Sequence, residues 1–154
     1  MRIAVGSDHA GFFLKEVLEA FLEQEGHGVV DMGCDSPDPI DYPLIGRPVA
    51  EAVARGEVNS AILICGSGIG MSMLANKVKG VRAALVNEPF SARLAREHND
   101  ANVLCLGARM LGEDLACECT KVFLQTEFGG GRHSKRLELL QELDVGRGTA
   151  DTFP

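Results

Sequence analysis

No run of apolar residues in this chain approaches the ~20 that a membrane-spanning helix needs. The amino terminus enters an apolar strand directly at Ile3-Ala4-Val5, with no signal-type hydrophobic region ahead of it. A soluble, cytoplasmic protein is expected. Basic residues are also in short supply: 15 Lys and Arg face 22 Asp and Glu, for a net charge of −7. That balance argues against a nucleic-acid or anionic-membrane partner held by bulk electrostatics, so an anionic ligand needs a local basic cluster. A disulfide framework is missing too. The five cysteines, at 34, 65, 105, 117 and 119, are odd in number and unpaired in spacing, which fits reduced thiols. Cys117 and Cys119 fall two apart on an expected helix and point to nearly opposite sides, so no zinc site is read there. Internal repeats and low-complexity blocks are absent, and the 154 residues, 45% apolar, are enough for one domain with a full core.

What the chain does contain is a regular alternation. Short, continuously apolar runs at Arg2 to Gly6, Val29 to Met32, Ser60 to Cys65, Val81 to Val86 and Val103 to Leu106 read as strands buried on both faces. Between the first two, Leu14, Val17, Leu18 and Phe21 recur at helical spacing and Gly26 ends the pattern. Met71 to Val78, Leu44 to Arg55, Phe90 to Glu97 and Glu113 to Phe128 also read as helices. The alternation predicts βαβ units in an α/β fold: a doubly wound, five-stranded parallel sheet with helices on both faces. Asp35 to Pro39 is a loop. Residues 129–131, all glycine, break the chain before a last helix, Arg132 to Leu143, and the polar tail Asp144 to Pro154 is expected to be mobile.

Cys65 is the most informative residue. It ends the Ala61-Ile62-Leu63-Ile64 run and precedes Gly66-Ser67-Gly68-Ile69-Gly70 and a helix start. Open α/β sheets place ligands at this carboxyl edge, and the adjacent N–H groups favour negative charge, so the thiol can be held as thiolate. A buried structural cysteine fits the same position. The loop lacks the G-x-G-x-x-G spacing of a dinucleotide site and the Lys-Ser or Lys-Thr of a Walker loop. Met71 stands where a phosphocysteine mechanism needs arginine.

Other polar residues gather at comparable places. Gly6-Ser7-Asp8-His9-Ala10-Gly11 forms the first βα turn, where Asp8 and His9 can face the Cys65 loop and where Ser7 or Asp8 also suits a helix cap. His98-Asn99-Asp100 closes the fourth helix, and Arg109 follows the fifth strand. His98 at a helix C-terminus also satisfies the helix dipole. Arg132 and Arg136, one turn apart, suit a phosphate clamp or a solvated basic face. Thiolate, histidines, glycine nest and arginines together point to chemistry on a phosphorylated small molecule.

Taken in order, the motifs carry a family resemblance. Gly6-Ser7-Asp8-His9-Ala10-Gly11, Asp41-Tyr42-Pro43, Ile64-Cys65-Gly66-Ser67-Gly68-Ile69-Gly70, Ala75-Asn76-Lys77, Arg96-Glu97-His98-Asn99-Asp100, Gly107-Ala108-Arg109 and Gly130-Gly131-Arg132-His133 together resemble the type B ribose-5-phosphate isomerases. That wider family also holds galactose-6-phosphate and allose-6-phosphate isomerases. The match spans residues 1–143, the expected sugar-phosphate isomerase domain, and leaves out the tail at 144–154. It implies a Rossmann-like fold, a homodimer or dimer of dimers with a shared active site, and neither metal nor organic cofactor.

The resemblance further implies interconversion of an aldose and a ketose phosphate through a cis-enediolate. Cys65 is similar to the family's base, Ser67 to its proton shuttle and His98 to the group that opens the furanose ring. Backbone N–H groups of Gly66, Gly68, Ile69 and Gly70 would hold the enediolate. Asp8 and Tyr42 would contact the sugar, Asn99 would do so near the subunit boundary, and His9, Arg109, Arg132 and Arg136 would hold the phosphate. A branch with Glu after the glycine loop has its counterpart here in Met71, which puts this chain in the cysteine branch. Ribose 5-phosphate ranks first because the whole motif set sits in one chain. A six-carbon sugar phosphate is the alternative substrate, and a sugar-phosphate-binding regulator without turnover is the alternative class.

Overall fold

The computed structural model describes residues 1–146, with side chains through residue 144. In chain order the elements are β1 (Arg2–Ser7), a 3-10 turn (His9–Gly11), α1 (Phe12–Gln24), β2 (Gly28–Asp31), α2 (Tyr42–Ala54), β3 (Ser60–Cys65), α3 (Ile69–Ala75), β4 (Ala83–Leu85), α4 (Pro89–Asn99), β5 (Val103–Gly107), α5 (Glu113–Gln125) and α6 (Arg132–Gly146). The sheet order is β2-β1-β3-β5-β4, and every pairing is parallel. The α/β class, the five strands and their locations are as the sequence pattern predicts.

Side-chain alternation along the three central strands divides the core into two layers. Ile3, Val5, Ile62, Ile64, Leu104 and Leu106 face a layer shared with α1, α4 and α5. Ala4, Leu63, Cys65, Val103 and Cys105 face α2 and α3. Helices on both faces are what parallel crossovers demand, and they explain why these strands are apolar throughout.

Several boundaries differ from expectation, each with a local cause. β4 is only Ala83–Leu85, not Val81 to Val86. The N–H of Val81 bonds back to Val78 in a turn, and that of Arg82 donates to the Asn102 side chain. Asn76 bonds both the N–H and the carbonyl of Ala83, which covers this edge strand. α3 starts two residues early because Gly68, in left-handed conformation (φ 76°), turns the chain straight into it; Asn76 ends it. In α5 the chain turns extended at Thr126, short of Phe128. α6 continues through Asp144, whose carboxylate accepts from the Gly80 N–H. The rest of the expected tail, 147–154, lies outside the described residues.

The stripe of α1 also departs from the pattern. Leu14, Leu18 and Leu22 are buried, and with them Lys15, only 1% exposed. Its ammonium pairs with Asp31 on β2 and with Glu16. Burial alone would lower its pKa, but hydrogen bonds to those two carboxylates outweigh that and push it up to about 12.

Candidate active site

Strand register sets the geometry. Ser7 pairs with Ile64 and Cys65 with Gly107, so β1, β3 and β5 end at one level and their loops open at one edge. The chain departs from β1 toward β2 on one side, and β3 lies on the other. The crevice between β1 and β3 is therefore the switch point at which doubly wound sheets hold ligands. A cavity of about 370 Å³ lies there, lined by Asp8, His9, Ala10, Tyr42, Cys65, Gly66, Ser67, Gly70, Arg109 and Met110.

Cys65 is 5% exposed, at the floor of this cavity. The Gly68 N–H donates to its sulfur at 3.1 Å, an arrangement that stabilises sulfur-centred negative charge. Gly68 is indispensable twice over. Its φ is positive, and a methyl group there would lie 2.5 Å from Leu85 Cδ1 and 2.9 Å from the Leu106 backbone. Of the other cysteines, Cys105 sits on the same sheet face, and burial, then the nearby Cys65, raises its thiol well above the ordinary value. Burial likewise raises Cys117, and Cys119 to about 11.

The glycine loop is partly committed to itself. The Gly68 N–H is taken by Cys65, and the Ile69 N–H donates to Ser67 Oγ at 3.3 Å. Those two donors are engaged within the loop, while Gly66 and Gly70, also expected to face the enediolate, line the cavity. Arg109 lies across Gly66, where an added Cβ would be 3.4 Å from the guanidinium, and the Tyr42 ring lies 2.8 Å from where a Gly70 Cβ would be.

Asp8 carries both readings that the sequence left open. Its Oδ1 accepts from the Ala10 and Gly11 N–H groups at 3.0 and 3.2 Å, capping the 3-10 turn, and the residue also lines the cavity. His9 is held through Nδ1, 3.2 Å from both the N–H and the carbonyl of Ile40, its Nε2 has no hydrogen-bond partner among the described residues, and the residue lines the cavity.

The remaining expected residues form a second group away from this cavity. His98 sits in the last turn of α4, capped by Asp100 in left-handed conformation. Asp100 is gripped by Arg82 and Arg96, each at 2.8 Å, so this turn is braced from two sides. The His98 ring stacks on His133 beside Arg132 in the first turn of α6, and Arg136 follows one turn later. Asn99 lines a separate cavity of about 500 Å³ with Arg82, Leu94 and Leu140. One chain thus holds a thiol-and-glycine half and a histidine-and-arginine half, and none of His98, Asn99, Arg132 or Arg136 borders the Cys65 cavity. Ala10 and Met110 line that cavity without having been singled out from the sequence; each is adjacent to a residue that was. Among the described residues, Glu16, Glu19 and Asp31 are the only carboxylate, histidine or cysteine group spaced for a cation, and the Lys15 ammonium already occupies their centre.

A parallel-sheet fold with a thiol, a glycine turn, a histidine and a carboxylate converging at its switch point defines a class of α/β enzymes acting on small polar substrates. The particular family follows from comparison. The model of the ribose/galactose isomerase family matches residues 3–140, and the chain belongs to that family. It is 45% identical over 146 residues to ribose-5-phosphate isomerase B of Escherichia coli, covering 95% of this chain and 98% of that one. It is 41% identical over 140 residues to D-erythrulose-4-phosphate isomerase of Pectobacterium atrosepticum, covering 90% and 91%. The structure of Clostridium thermocellum ribose-5-phosphate isomerase B superposes with a TM-score of 0.94 at 46% identity, over 96% of this chain and 99% of that one. The chain is an isomerase of this family. No helix among the described residues is long and apolar enough to cross a membrane.

Proposed function

We propose that the protein interconverts ribose 5-phosphate and ribulose 5-phosphate in the cytoplasm, using no cofactor. The observation that carries this reading is the Cys65 sulfur, at the floor of the switch-point cavity with the Gly68 N–H upon it, in a chain of the ribose/galactose isomerase family. The Cys65 thiolate removes the proton from C2 of the open-chain aldose, and the electron pair moves onto the carbonyl to give a cis-enediolate. Ser67 relays a proton from O2 to O1. The thiol then returns its proton to C1, leaving a ketone at C2, so atoms and charge balance with no outside reactant. Free N–H groups of the loop favour the anionic intermediate, and His9 and Arg109 hold the phosphate. Asp8 and Tyr42 hold sugar hydroxyls, and His98 donates to the ring oxygen to open the furanose.

The separation of the two halves supports a homodimer or dimer of dimers whose sites are shared. In this reading Cys65, Ser67, His9 and Arg109 of one protomer meet His98, Asn99, Arg132 and Arg136 of another, and the phosphate is clamped from both sides. The resemblance to a four-carbon sugar-phosphate isomerase keeps one second reading open: the cavity takes a shorter or longer sugar phosphate. Purified protein assayed without added metal on four-, five- and six-carbon aldose phosphates decides this. Highest kcat/KM on ribose 5-phosphate is expected; a higher value on another chain length overturns the substrate, and turnover of none overturns the catalytic reading.

A further inference from the structure

His133 and the three glycines at 129–131 are unused by the chemistry above. His133 and His98 are 35 positions apart, yet their rings lie nearly parallel, 11° between planes, with centroids 4.3 Å apart. We infer that His133 is a positioning residue, whose ring fixes the plane of the His98 imidazole and ties it to the arginines of α6; this rests on the reading of His98 as the group that opens the sugar ring.

The backbone is built to make that stack. The Gly129 N–H donates to the Glu97 carbonyl at 2.9 Å, and a methyl group at 129 would lie 3.0 Å from that same oxygen. Gly130 and Gly131 are both left-handed, with φ of 58° and 57°, a conformation in which side-chain-bearing residues are strained. Two such residues in succession reverse the chain and start α6 at Arg132, so that its second residue lands on His98. The ring nitrogens of His98 make no hydrogen bond among the described residues, and its nearest carboxylate oxygen, on Glu97, is 3.9 Å from Nε2. The stack is therefore what sets the tilt of the ring, and it leaves both nitrogens at the open edges, where proton donation needs one of them.

Charge is arranged to keep the contact. Burial lowers the pKa of His133, and the positive charge of His98, Arg132 and Arg136 lowers it further, against a smaller opposing effect of Glu97. A neutral ring can stack on a second imidazole without charge repulsion, and the face of an aromatic ring attracts a cation.

The test compares His98→Ala, His133→Ala, His133→Phe and the double variant His98→Ala/His133→Ala. Initial rates are measured on ribose 5-phosphate, and the ring protons of His98 are followed by NMR. Displacing a catalytic group by an ångström costs up to about 10²-fold, so His133→Ala should lower kcat by roughly 10- to 100-fold with a much smaller change in KM. Phenylalanine, which replaces a neutral stacked ring, should restore most of the rate. The double variant should be no slower than His98→Ala, and the His98 ring protons should lose their upfield ring-current shift in His133→Ala but not in His133→Phe. Wild-type kcat in His133→Ala with a slow His98→Ala, multiplicative losses in the double variant, or failure of phenylalanine to rescue each overturns the inference alone. Wild-type rate in His98→Ala overturns the ring-opening reading beneath it, while the NMR shift still reports whether the rings stack.

Discussion

If each site is assembled from two chains, two damaged proteins should repair one another. Cys65→Ala removes the base from the switch-point cavity, and Arg132→Ala/Arg136→Ala removes the cations from α6, which do not border that cavity in the same chain. Loss of the base costs on the order of 10²–10⁴-fold in rate. Each charge-assisted phosphate contact is worth about 1.5–3 kcal/mol, or roughly 10- to 150-fold in affinity. Assayed well below KM, both parents should fall to about 1% of wild type or less. In a hybrid dimer with sites shared across the two-fold axis, both defects fall in one site and the other is intact. Equal amounts that reassociate at random make about half of all dimers hybrid, each with half its sites working, so about one quarter of wild-type activity should appear. Subunits are exchanged by joint denaturation and refolding or by co-expression, and hybrids are counted by native mass spectrometry with one partner tagged. Were each site made within a single chain, every hybrid would carry one site without its thiol and one without its arginines. Activity that stays at the parental level while hybrids are present refutes the shared site, and a monomer at assay concentration refutes it as well.

Cys65→Ala alone should leave substrate binding close to wild type while turnover falls, as read by single-turnover kinetics and calorimetric titration; near-normal turnover would remove Cys65 as the base. His98→Ala should slow ribose 5-phosphate, which is cyclic in solution, far more than ribulose 5-phosphate, whose 5-oxygen is esterified and cannot close a furanose; equal losses in initial rate in the two directions would discard ring opening. Gly68→Ala should destabilise by about 2–4 kcal/mol, the sum of a left-handed alanine and a Cβ forced onto Leu85 and the Leu106 backbone, seen as a lower urea midpoint at unchanged slope; an unshifted midpoint would contradict the packing. Glu19, half-buried beside Asp31 and with no hydrogen-bond partner for Oε1 among the described residues, is raised from 4.5 to about 7, burial first and the Asp31 charge second. The folded protein then holds this proton more tightly than the unfolded chain does, so its contribution to stability is full below about pH 4.5 and lost as pH rises through 7. Glu19→Gln should add roughly 1–3 kcal/mol at pH 8 and little at pH 4; equal effects at both would refute the assignment.

The fold was legible because three central strands are covered on both faces, and burial on both faces writes itself into sequence as continuous apolar runs. Ala61 to Ile64 and Val103 to Leu106 left little choice of element or of sheet type. The boundaries were less legible where a side chain rather than a backbone ladder decides them. β4 is trimmed by Asn102 at its start and covered by Asn76 along its edge, and neither asparagine announces its partner by spacing. Lys15 is the clearest case. Helical periodicity placed Leu14, Leu18 and Phe21 against the core, where they are, but it passed over Lys15, which is buried as well because Asp31 on the neighbouring strand meets it from 16 residues away.

The site divides along the same line. Asp8, Cys65 and Arg109 could be brought together on paper because parallel strands in register must end side by side, and register carries their loops to one edge. No such rule relates the end of α4 to the start of α6. Here two left-handed glycines and a ring stack join them, and the joined pair does not line the cavity of the thiol it is expected to serve. Residue types and motif order suggest a chemistry for both halves, but order along a chain carries no information about which protomer would supply each half. In the shared-site reading, the arginines, whose spacing suits a phosphate clamp as well as a solvated basic face, would find a partner cavity only in a second protomer, and the hybrid-dimer experiment tests that.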